Sequence, residues 1–170
     1  MKKNIKTSVE AKDASSFIGR DDLSTVLGLT NKQELNKWVQ NFLRIEGSGN
    51  IKLANRLLEY EDFVVGPIEF PLHDMVSILG PDDSYIYYED PAILNHRVKA
   101  MGKSIEHGWK PAPIISTNIW KDYLEIADGC HRQRALLAAG FDKYHTIFYF
   151  RNAESMNIFL KTHGGEVSHN

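Results

Sequence analysis

The sequence predicts an α+β fold of mixed α/β character, a small mixed sheet with flanking helices, preceded by a helical amino-terminal extension. Three observations lead there. Runs at 63–70, 114–116, 124–127 and 144–150 are apolar and rich in β-branched or aromatic residues, the composition of strands. Between them, apolar residues recur at helical spacing. The resulting order, with strands and helices interleaved, suits layers packed on one core. With 170 residues, 42% of them hydrophobic and 25% charged, the chain can bury one core and is short for two ordinary domains.

Residues 1–18 are polar without a clear period and are expected to form a mobile arm. Residues 19–61 form the helical extension. Asp21 or Asp22 can cap a first helix through Leu23, Val26 and Leu27, and Thr30-Asn31-Lys32-Gln33-Glu34 is a second start signal. Leu35, Trp38, Val39, Phe42 and Leu43 follow at helical spacing. Gly47-Ser48-Gly49 ends that helix, and Ile51, Ala54, Leu57 and Leu58 mark a short further one.

The main domain is expected over 62–164, with a tail at 165–170. Its first strand, 63–70, contains Pro67, which demotes it to an edge or a bulge. Residues 72–79 read as a short helix or turn closed by Gly80-Pro81-Asp82-Asp83, and 85–88 as a short strand. After Asp90-Pro91, the residues Ile93, Leu94, Val98, Met101 and Ile105 recur as a helix that Gly108 ends. Pro111-Ala112-Pro113 stiffens the entry to the strand at 114–116, and 118–123 turns the chain into 124–127. A helix over 131–139 stops at Gly140, a strand spans 144–150, and a last helix covers 153–161.

Charge and cysteine usage exclude several classes. A net charge of -2 and a pI of about 6.4 give no field that gathers polyanions, so nucleic acid is not an expected partner. The stretch 24–35 has the outline of a helix-turn-helix, yet its second helix carries only Lys32, Lys37 and Arg44, opposed by Glu34 and Glu46. That helix pair is expected to cap the site or to meet a protein partner. A single cysteine excludes an internal disulfide and a multi-cysteine zinc site, which suits a reducing compartment. No run of about 18 apolar residues is present, so a cytoplasmic protein without a membrane span is expected.

The chemistry concentrates in Asp128-Gly129-Cys130-His131-Arg132, where a strand meets a glycine turn that opens a helix. Amides that begin a helix have no partners of their own, so this turn is a place for an anion, and a phosphate is the expected one. Arg132 supplies a planar fork for two phosphate oxygens, or alternatively a structural ion pair with Asp128 or Glu125. His131 can donate to phosphate or act as an acid. A thiol at a helix start beside His and Arg is lowered in pKa, and a neighbouring carboxylate raises it again. Cys130 is thus either a nucleophile or a small residue that fits the turn. Asp128 either holds Mg²⁺ against phosphates and orients His131, or braces the turn by accepting backbone amides.

With Ala135-Leu136 and Gly140 following, the pentapeptide resembles the signature of the ParB/sulfiredoxin superfamily, and the likeness extends over about 63–164. The superfamily includes sulfiredoxins, free-serine kinases and CTP-binding domains of chromosome-partitioning proteins. The Asp128-Gly129 pair is similar to the serine kinases, and the Cys130-His131-Arg132 run to the sulfiredoxins. The resemblance implies a nucleotide, ATP or ADP with Mg²⁺, held at 129–132. It implies that the helix over 90–106 assists through Arg97, Lys103 and Ser104. It also implies a carboxylate near the first strand that acts on the acceptor, for which Glu69 is best placed, with Asp74 and His73 next. Three functions follow: a nucleotide-dependent phosphotransferase acting on a small molecule or a protein group, a sulfiredoxin-like thiol enzyme, or a ParB-like nucleotide-binding switch or DNA-associated module without catalysis.

Overall fold

The computed structural model describes residues 17–29, 31–46 and 49–163; all but the last two residues of the expected arm, Gly47-Ser48 and the expected tail lie outside them. The amino-terminal helices begin where side chains can cap them. The Asp21 carboxylate accepts from the amides of Ser24 (2.8 Å) and Leu23 (3.2 Å) at the start of α1 (Ser24–Leu27). Asn31 caps α2 (Lys32–Asn41) by accepting from the Glu34 amide at 2.9 Å, and α2 runs on as a π turn, Phe42–Glu46. Asn50 caps α3 (Ile51–Leu57), which tightens into a 3₁₀ segment, Leu58–Phe63.

The β1 strand (Val64–Pro71) forms one edge of the main sheet. Gly66 has φ of 121°, and a Cβ there would lie 2.6 Å from the Thr146 carbonyl oxygen, so only glycine fits this backbone approach. The register shifts between Val65 and Ile68, which is the bulge expected from Pro67.

The segment after β1 departs from the expected short helix or turn. A 3₁₀ turn, Leu72–Asp74, is followed by β2 (Val76–Ser77) and then β3 (Leu79–Gly80). β3 pairs in parallel with β4 (Tyr87–Tyr88) as a separate two-stranded sheet. Two-residue strands show no alternation, which is why periodicity does not find them.

Asp90 caps α4 (Pro91–Glu106), accepting from the Ala92 amide at 2.9 Å with Pro91 at the first helical position. β5 (Ile114–Thr117), β6 (Glu125–Asp128), α5 (Cys130–Ala138), β7 (Lys143–Tyr149) and α6 (Ala153–His163) complete the chain. The main sheet runs β1-β7-β5-β6-β2 and is mixed: β1/β7 and β5/β6 are antiparallel, β7/β5 and β6/β2 parallel. The fold is therefore α+β with helices flanking a mixed five-stranded sheet.

Successive β7 side chains point to opposite faces. On one face Phe148 and Phe150 meet Phe159 of α6, with ring centroids 4.6 and 5.0 Å apart, and Phe148 meets Phe70 of β1 at 5.0 Å. On the other, the Tyr149 hydroxyl donates to Asn36 Oδ1 of α2 at 2.7 Å, and Asn36 Nδ2 donates to the Glu61 carbonyl at 2.9 Å. Lys32 Nζ adds a bond to the Asp62 carbonyl at 2.7 Å. Leu35, Val39, Leu43, Leu53 and Leu57 share one buried cluster with Ile114, Ile126 and Ile147, so extension and sheet have a common core.

Glu125 opens β6 as a buried carboxylate whose Oε2 has no hydrogen-bond partner. Burial raises its pKa, with Lys121 and Arg56 acting weakly against that. A carboxyl whose pKa is raised by folding stabilises the native state where it is protonated, below about 4.5, and loses that contribution as pH rises through the raised value. Glu125→Gln is accordingly expected to raise Tm at pH 7, with the gain shrinking towards pH 4 in a thermal series. Equal Tm differences at both pH values would contradict this.

Candidate functional site

β6 carries Asp128 to the sheet end, and Gly129 turns the chain with φ 111° and ψ 21° into α5, whose first turn no side chain caps. A left-handed residue here is what glycine supplies without strain. A Cβ on Gly129 would lie 2.9 Å from Arg132 Nη2, because the guanidinium folds back over the turn. Gln133 pins the same helical turn from below, donating to the carbonyls of Leu72 (2.7 Å) and Met75 (3.2 Å).

Arg132 is largely enclosed, its side chain 11% exposed. Its Nη2 donates to Asp128 Oδ2 at 3.1 Å and to the Pro113 carbonyl at 3.0 Å, so the ion pair with Asp128 is formed. Nε is buried without a partner, and no hydrogen bond from Nη1 is found to a described residue. The Phe42 ring lies with its centroid 5.4 Å from Cζ, which places the end of the amino-terminal helices over the turn. Asp128, 9% exposed, is thereby committed to Arg132. The described residues contain no group of three or more His, Cys, Asp or Glu side chains able to hold a metal ion.

Cys130 is buried, its Sγ facing the Ile126 carbonyl at 3.8 Å. Burial pushes the thiol pKa up. Contacts with Ser77 and the backbone of Ile78 and Leu79 oppose that, and Asp128 adds to it. The lowering that a helix start can give a thiol is therefore outweighed by desolvation.

His131 Nε2 lies 2.6 Å from Glu89 Oε2, and Arg97 Nη1 donates to Glu89 Oε1 at 2.8 Å. Glu89 follows β4, its amide donating to the Gly80 carbonyl at 3.0 Å, and its side chain is 4% exposed. One buried carboxylate thus ties the start of α5 to α4. Sequence reasoning missed Glu89. No local pattern marks it, because Glu89 follows a two-residue strand and is set apart only by its contacts with α4 and α5.

The other expected residues are placed as follows. Arg97 joins His131 through Glu89. Ser104 is fully buried and its hydroxyl donates to the Ala100 carbonyl at 3.1 Å within α4, so it is not a hydroxyl on a pocket wall as expected. Lys103 is exposed on α4. Glu69 lies on β1, three strand positions from β6, or about 14 Å at the usual spacing. It is 67% exposed, with its Oε1 3.9 Å from His145 Nε2. The structure does not bring Glu69 to the turn: strand order puts β1 at the opposite side of β7 and β5, which residue order along the chain does not disclose.

With this geometry established, the chain was compared with protein-family models, curated proteins and solved structures, and none of the three comparisons gives a match.

Proposed function

We propose that this protein binds ATP or ADP with the phosphates at the start of α5 and transfers a terminal phosphate to an acceptor. The observation that carries the reading is the uncapped first turn of α5 behind a left-handed glycine, with the Arg132 guanidinium laid across it. Oriented amides and a fixed guanidinium edge serve the charge that spreads over a transferring phosphoryl group. Arg132 Nη1 is the guanidinium nitrogen left for a phosphate oxygen while Nη2 stays with Asp128 and Pro113. Phosphoryl transfer asks little covalent chemistry of a protein, so positioning and electrostatics carry most of it.

A buried thiol with a raised pKa supports this reading over thiol chemistry at Cys130. The Asp128–Arg132 pair favours a second reading, a nucleotide-responsive switch, because an incoming phosphate competes with Asp128 for the guanidinium.

Calorimetric titration of the full chain with ATP and Mg²⁺, followed by ³¹P NMR for product, separates these. Binding and turnover are expected, with Cys130→Ser keeping turnover within about twofold because the buried thiol is not the nucleophile. Binding without turnover moves the protein to the switch reading, and loss of turnover in Cys130→Ser moves it to thiol chemistry. No binding of ATP or ADP overturns the site.

A further inference from the structure

We propose that His131 and Glu89 form the proton-accepting dyad of the reaction, with a hydroxyl-bearing acceptor as its substrate class; this rests on the phosphate-transfer reading above. His131 is the catalytic residue and Glu89 the positioning residue. A phosphotransferase needs a group to take the acceptor's proton, and the candidates narrow by geometry. Glu69 is across the sheet. Asp128 is committed to Arg132, and Cys130 is a buried neutral thiol. Of the residues in the turn itself His131 remains, on the first turn of α5 with its ring 22% exposed.

The Glu89 contact fixes what that ring can do. A carboxylate only accepts hydrogen bonds, so His131 Nε2 carries the hydrogen and donates it to Oε2 at 2.6 Å. In the neutral ring, Nδ1 then holds a lone pair, and no bond to it is found among the described residues. That nitrogen is a base, and the carboxylate behind the ring stabilises the imidazolium formed when it acts. Arg97 on Oε1 holds the carboxylate in place, so Glu89 cannot rotate away from the ring without breaking a second bond.

The step balances. As the acceptor oxygen bonds to the γ-phosphorus, its proton passes to Nδ1. The bond from the γ-phosphorus to the β,γ-bridging oxygen breaks, and nucleoside diphosphate leaves. The proton is then released to water, restoring the neutral ring. No oxidant or reductant takes part.

The test joins a spectroscopic readout to kinetics in the full chain. In ¹⁵N NMR of the histidine rings, native His131 is expected as the Nε2–H tautomer, and Glu89→Gln is expected to lose that preference. With ATP, Glu89→Gln is expected to lower turnover by about a hundredfold while leaving ATP affinity within about threefold, and Glu89→Asp to recover part of the turnover. Transfer to glycerol, read by ³¹P NMR, identifies a small alcohol. A phosphate added to the protein, read by intact mass, identifies a side-chain hydroxyl. Either supports the acceptor class, and transfer only to amines overturns it. An Nδ1–H tautomer in the native chain overturns the dyad even where ATP binds and turns over. Equal losses of affinity and turnover in Glu89→Gln reduce Glu89 to a brace for Arg97 and also overturn it. If ATP and ADP do not bind the native chain, the phosphate reading fails and this one with it.

Discussion

Arg132→Ala is expected to lower phosphate transfer by about a hundredfold to a thousandfold, the usual cost of removing one donor aimed at developing charge. The guanidinium crosses Gly129 at the uncapped turn, with Nη2 held by Asp128 and Pro113. The same change strands Asp128, 9% exposed, without its partner. Breaking a buried pair in that way costs about 3–5 kcal/mol of stability, enough to blur a loss of activity with a loss of fold. The double variant Arg132→Ala with Asp128→Asn removes the stranded charge and separates the two effects. It is expected to recover Tm and not turnover. Arg132→Lys keeps the charge and loses the planar fork, and is expected to fall between. Turnover within a few-fold of native in the folded double variant would remove Arg132 from the site.

Phe148→Ala is the substitution expected to cost the most stability, about 3–5 kcal/mol, which is a large part of a domain's usual total. Phe148 is fully buried in β7, between β1 and β5. Its ring touches Phe70 of β1 and Phe159 of α6, at 5.0 and 4.6 Å between centroids, so alanine empties a space that three elements line. Urea unfolding is expected to show a lower midpoint with an unchanged slope. Phe148→Leu, which keeps most of the volume, is expected to lose less. A midpoint unmoved by Phe148→Ala would mean that α6 does not close on the sheet as the structure has it.

The elements that the sequence made legible are those with either a long period or a strong stop. The helix start at Asn31, the bulge at Pro67, the helix after Asp90-Pro91 and the strand at 144–150 each rest on local chemistry, and the structure has all four. β2 and β3 were not legible, because pairs such as Val76–Ser77 gain strand character only from a partner distant in sequence. The candidate site divides in the same way. Its turn was visible as a strand, a glycine and a helix start, all local. Glu89 was not, since what makes it notable is the meeting of β4, α4 and α5 around one carboxylate. Glu69 was misplaced for the converse reason: closeness to the first strand in sequence says nothing of where that strand joins the sheet.

The ring of Phe42 over Arg132, with Tyr149 and Asn36 joined behind it, makes the first third of the chain a wall of the Gly129 turn. A version cut before residue 62 would remove Phe42 and Asn36 and leave the guanidinium and Tyr149 open on that side. Whatever such a fragment binds, it would report on a differently solvated loop, where exposed charge is screened and attraction for an anion is weaker.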